Sequence, residues 1–127
     1  MSNVPENLLY TATHEWLKRE GKSYKIGITD HAQSELTDVV FVEFEKKGKK
    51  VKKGDIVANV ESVKTVSEIY APVSGTVTEL NDALTKSPEN INRDPYGEGW
   101  FVVIEPDTET DSVELLSPAA YRKAIGE

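Results

Sequence analysis

The chain has 127 residues, with 15 lysines and arginines against 22 aspartates and glutamates, for a formal net charge of −7. That length supports one sizeable core but not two, and 38% hydrophobic with 29% charged residues is the composition of a folded chain. The acidic balance argues against nucleic acid, whose phosphates need clustered cations, and the lack of cysteine excludes disulfides, thiolate zinc sites, iron–sulfur clusters and cysteine nucleophiles.

The opening residues, Met1 to Asn7, are short, polar and broken by Pro5, unlike a secretory signal or an Arg-rich transit peptide. No apolar run approaches the length of a membrane span, so a cytoplasmic chain with no membrane contact is expected. Leu8 to Tyr10, Glu15 to Arg19 and Ser23 to Ile28 are rich in aromatic and β-branched residues and read as strands, with Glu20-Gly21-Lys22 as a turn. Thr29 is placed to cap a short helix over Asp30 to Leu36.

Val39 to Phe44 reads as a strand with Val40, Val42 and Phe44 on one face. The lysine-rich run from Glu45 to Asp55 is tempting as an anion site. Two glycines among alternating lysines favour a solvated connection instead. Ile56 to Val60 and Val66 to Tyr70 are further strands, and Ala71-Pro72-Val73-Ser74-Gly75 turns the chain into a strand over Thr76 to Leu80.

Asn81 to Thr85 reads as a helical turn, and Ser87-Pro88 as the cap and first position of a second short helix. Arg93 to Gly99 is irregular, Trp100 to Glu105 a strand. Ser117-Pro118 caps a final helix over Ala119 to Ile125, with Ala120, Tyr121, Ala124 and Ile125 as its docking face. Many short strands with Gly/Pro corners and marginal helices predict an all-β barrel or sandwich, in a single domain over residues 1–127.

The chemistry-bearing residues are few. His14 and His31 are too isolated for a metal cluster, no Walker or dinucleotide phosphate loop is present, and Ser74 lacks the Gly-x-Ser-x-Gly elbow. An enzyme has little to be built from. Lys64 is different, because strand pattern lapses around it for only Glu61 to Thr65, which places it at the tip of a tight hairpin. There its amine would be open to acylation by another protein. On spacing alone, an ordinary surface lysine explains the position as well.

The run Val60-Glu61-Ser62-Val63-Lys64-Thr65-Val66-Ser67-Glu68, continuing to Gly75, resembles the lipoyl-attachment segment of the glycine cleavage system H protein family. Thr13-His14-Glu15-Trp16, Gly27 to Gln33 and Asp94 to Trp100 resemble further signatures of that family, in its order and over nearly the whole chain. The Asp-Lys-Ala of other lipoyl domains and the Met-Lys-Met of biotin carriers are absent.

The resemblance implies a flattened β-barrel, a hybrid of two small antiparallel sheets with short peripheral helices and a C-terminal helix. It implies lipoate in amide linkage to Lys64, flanked by Glu61, Ser62, Val63 and Thr65. The partners it implies are glycine decarboxylase, aminomethyltransferase and dihydrolipoyl dehydrogenase, with a lipoate ligase or octanoyltransferase to attach the group. By the same resemblance the loaded arm folds back into a cleft, where Glu15 and Glu68 are the carboxylates suited to its amine. Position 68 is often aspartate in the family, one methylene shorter. A lipoyl or octanoyl relay to other acceptors, and an unmodified scaffold module, are the alternatives to a non-enzymatic, monomeric carrier.

Overall fold

The computed structural model describes residues 3–45, 47–107 and 115–127. Its described strands are β1 (Leu9–Tyr10), β2 (Glu15–Glu20), β3 (Ser23–Ile28), β4 (Val39–Phe44), β5 (Lys50–Val51), β6 (Ile56–Ser62), β7 (Val66–Tyr70), β8 (Gly75–Leu80) and β9 (Val102–Pro106). They form two antiparallel sheets, a larger one ordered β1-β2-β3-β9-β8-β5 and a smaller one ordered β4-β6-β7. The described helices are all short: α1 (Asp30–Leu36), α2 (Ala83–Lys86), α3 (Asn90–Arg93) and α4 (Pro118–Ala124). The fold is mainly β, as the alternation of short apolar runs and Gly/Pro corners predicts.

Alternation decides which faces meet. Leu17, Ile26, Ile28, Val102 and Ile104 from the larger sheet pack with Val42, Ala58, Val60 and Ile69 from the smaller one in a common core. Burying each such side chain contributes roughly 1.5–3 kcal/mol, the main term offsetting chain entropy. A second cluster joins Val4, Leu8, Tyr10, Trp16 and Tyr121, with the Tyr10 and Tyr121 rings stacked 4.7 Å apart. It fastens α4 to the start of the chain.

Glycine is required where backbones crowd. A Cβ on Gly75 would run into the Glu105 carbonyl of the adjacent strand, so β8 and β9 pair this closely only because position 75 has no side chain. Thr29 caps α1 through its side chain, which accepts from the Ala32 N–H at 3.2 Å, and Ser117 caps α4 in the same way through Ala120.

Several local expectations change. Val40 does not face the core beside Val42, because a register irregularity between Val39 and Phe41 leaves both Val40 and Phe41 exposed. The helix expected from Ser87-Pro88 begins at Asn90, with no side-chain cap. Residues 87–89 instead form tight turns, in which the Ser87 and Pro88 carbonyls accept from Asn90 and Ile91. Trp100 and Phe101 lie outside β9, although the Phe101 N–H still donates to the Ile26 carbonyl of β3 at 2.7 Å. Of the four residues expected on the docking face of α4, Tyr121 is buried and Ile125 half-buried, while Ala120 and Ala124 are exposed.

Candidate functional site

Lys64 sits at the end of the small sheet, where β6 and β7 pair with Glu61 opposite Val66. The Ser62 N–H donates to the Thr65 carbonyl at 2.8 Å, so only Val63 and Lys64 form the loop. Neither takes a positive φ, so this is not one of the primed turns whose twist suits a two-residue hairpin. Side-chain and tertiary bonds compensate. The Ser62 hydroxyl accepts from the Lys64 and Thr65 N–H groups at 3.2 and 3.0 Å, and the Val63 N–H donates to the Asp38 carbonyl at 3.0 Å. Every backbone N–H from residue 62 to 65 thus has an acceptor, and the tip is held.

Asp38 is itself held by its neighbours. Asn92 on α3 accepts from the Val39 N–H at 2.9 Å and donates to the Thr37 carbonyl at 2.7 Å and to Gln33 Oε1 at 3.0 Å. The Lys64 side chain is exposed, and its ammonium makes no ion pair with any described carboxylate. A fixed backbone carrying a free amine in water is what acylation by another protein requires.

The outer face of β7 leads away from the tip. Val66, Glu68 and Tyr70 alternate along it, and at about 3.3 Å per residue Tyr70 lies ~13 Å beyond Val66. Tyr70 lines a cleft of about 300 Å³ with Thr11, Thr13, Glu15, Lys53 and Pro72 among its other walls. Glu68 is exposed midway and accepts from the Tyr70 hydroxyl at 3.3 Å. The negative charge of Glu68 is the main influence raising the phenol's pKa.

Glu15 is not a solvated acid. It is 2% exposed, and its Oε1 accepts from the Thr11 and Thr13 hydroxyls at 2.6 Å each. Burial pushes its carboxyl above the ordinary carboxylate value, against the pull of those hydroxyls and of the Tyr70 backbone. A buried carboxylate at the wall of a cleft is a receptor for a cation.

Other residues singled out in the sequence lie away from this surface. The Trp16 indole N–H donates to the Pro95 carbonyl at 2.8 Å, the Tyr96 hydroxyl accepts from the Asp30 N–H at 2.9 Å, and a Cβ on Gly27 would stand 2.6 Å from the Trp16 ring. These signatures brace one another. His14 Nδ1 lies 2.9 Å from the Tyr121 hydroxyl, which is 2.7 Å from Thr29 Oγ1. Sequence reasoning passed over Tyr70, Thr11, Asp38 and Asn92. Tyr70 was within reach, two positions beyond Glu68 on a strand, and so was Thr11, four positions before Glu15, but Asp38 and Asn92 act through contacts far apart in the chain.

Known proteins resemble this chain in sequence and in fold. The family model described as glycine cleavage H-protein matches residues 8–127. The glycine cleavage system H protein of Rubrobacter xylanophilus is 50% identical over 127 residues, covering 100% of this chain and 98% of that protein. That of Oceanobacillus iheyensis is 52% identical over 123 residues, covering 97% and 98%. The crystal structure of a glycine cleavage system H protein from Mycobacterium marinum superposes with a TM-score of 0.87 at 36% identity, over 98% of this chain and 100% of that one. Sequence over its whole length and fold agree, and the chain belongs to the glycine cleavage H-protein family, whose members serve as lipoyl carriers.

Proposed function

We propose that this protein is the lipoyl carrier of a glycine cleavage system, with the lipoyl group in amide linkage to Lys64. The observation that carries the reading is the hairpin tip, where a braced backbone presents an exposed, unpaired amine. Attachment needs an activated lipoyl acyl donor from a lipoate ligase or octanoyltransferase. The neutral Lys64 amine attacks the acyl carbon, the donor's leaving group departs, and the displaced protons pass to solvent. Glu61, Ser62, Val63 and Thr65 hold Lys64 in place for that step.

When bound, the dithiolane would supply the group-carrying and redox chemistry that glycine decarboxylase, aminomethyltransferase and dihydrolipoyl dehydrogenase use. The protein's residues then shelter and release the cargo. A cationic amine arriving in the cleft pairs with the Glu15 carboxylate and offsets the burial that raises its pKa. Glu68, beside Tyr70, adds a second negative charge along the same face. The arm is thereby retained when it carries an amine and less so when it does not. A carrier that enters several active sites in turn works best as a cytoplasmic monomer.

Intact mass and peptide mapping after incubation with an active lipoate ligase test the reading. One lipoyl increment on Lys64, lost in Lys64→Arg while that variant melts like the wild type, is the expected result. A wild-type chain left unmodified, with the ligase active on a control acceptor, would overturn it.

A further inference from the structure

The register irregularity in β4 has a consequence at the tip. Among the described residues, the large hydrophobic side chains left exposed are Val40 at 51%, Phe41 at 45%, Val63 at 68% and Val66 at 62%. They are far apart in sequence but gather around Lys64. Phe41 pairs with Glu61, and Glu61 with Val66, so the three stand abreast on the outer face of the small sheet. Two strand spacings put Phe41 about 10 Å from Val66, and Val63 precedes Lys64 in the loop. Scattered apolar residues on a surface need no explanation, but a group gathered at one functional position does.

The rim has a sign. Asp38, Glu43 and Glu68 are exposed around this group, Glu61 stands between Phe41 and Val66, and none of the four is ion-paired to a described cation. Apolar surface at the centre with unpaired charge at the edge is the anatomy of a protein docking site.

Resting on the reading of Lys64 as the lipoyl lysine, we propose that Val40, Phe41, Val63 and Val66 form the docking surface for the enzyme that acylates Lys64, which meets them with an apolar groove rimmed by lysine and arginine. Position selects this partner over those that act later. The acylating enzyme must bring its own catalytic groups to Lys64 Nζ, so its contacts fall on the residues around the lysine. Enzymes that act on the far end of the lipoyl arm meet the carrier through a long tether. The acidic rim steers the encounter, and the apolar centre holds it.

Initial rates of lipoyl transfer by a purified lipoate ligase, read by intact mass on the full chain, test this. Phe41→Thr and Val66→Thr keep strand-forming residues at exposed positions, so both variants fold. Each raises KM about tenfold, equivalent to about 1.4 kcal/mol, with kcat near the wild-type value, and wild-type KM rises with added salt. Acylation of Lys64 by a small activated ester proceeds at the wild-type rate in both, which shows the amine itself unaltered. Unchanged KM in both variants would overturn the proposal, and so would unchanged KM combined with slower loading by glycine decarboxylase, which would assign the surface to a later partner. A wild-type chain that accepts no lipoyl group would sink the carrier reading and this surface together, whereas a lipoylated wild type with indifferent variants sinks the surface alone.

Discussion

At Glu15 a single carboxyl connects burial to titration. Its position on β2 puts it in the cleft wall, two threonine hydroxyls hold it, and burial raises its pKa above the ordinary 4.5. A raised carboxyl pKa means that the folded state binds more protons than the unfolded state between the two values, so this group's contribution to stability falls as pH rises through that window. Glu15→Gln keeps an oxygen acceptor for the threonines and cannot ionise. Its melting temperature should therefore gain on that of the wild type as pH is raised from 4.5. A difference between the two proteins that stays constant with pH would show that the carboxyl is not held as described.

The hairpin of β6 and β7 illustrates how an element borrows stability. Its two-residue loop lacks the positive-φ residues that such turns favour, and its N–H groups are satisfied by Ser62 and by Asp38. Asn92 fixes the segment that contains Asp38 through three hydrogen bonds to residues 33–39. Asn92→Ala leaves the Val39 N–H and Thr37 carbonyl short of a partner and should cost about 2 kcal/mol. Faster amide exchange at Val63, alongside a lowered melting temperature, is the expected signature. Unaltered exchange at Val63 would mean that the tip does not depend on α3.

Across the whole molecule, α4 closes on the N-terminal third through Tyr121. Its ring stacks on Tyr10, and its hydroxyl lies within hydrogen-bond distance of both Thr29 and His14. His14 has φ of 71°, in the left-handed region, and its ring lies 4.9 Å from that of His31. Burial holds the His14 pKa below its ordinary 6.5, His31 adds to the shift, and Glu35 opposes it. A lowered histidine pKa contributes stability that is present above 6.5 and lost as pH falls through the folded-state value. Asparagine tolerates the left-handed backbone and carries no titrating group. His14→Asn should therefore show a shallower loss of melting temperature below pH 6.5 than the wild type. An acid limb of the same steepness in both would remove His14 as its source.

Strand positions, the capped helix over residues 30–36 and the placement of Lys64 in a hairpin loop were legible in the sequence, because period-two alternation, capping residues and turn chemistry are local. The family was legible through its resemblance. Exposure of Val40 and Phe41 was not, since one irregularity in β4 breaks the alternation on which the inward assignment of Val40 rests. Nor could spacing show that Glu15, on a short strand near the start of the chain, is buried against Thr11, Thr13 and the backbone of Tyr70. Composition and local pattern by themselves determined a mainly β protein with an available lysine. Only the tertiary structure decided which acids surround that lysine, which line the cleft, and which apolar side chains stay in water. Those outcomes depend on strand register and on contacts between distant segments, and both emerge only when the two sheets pack together.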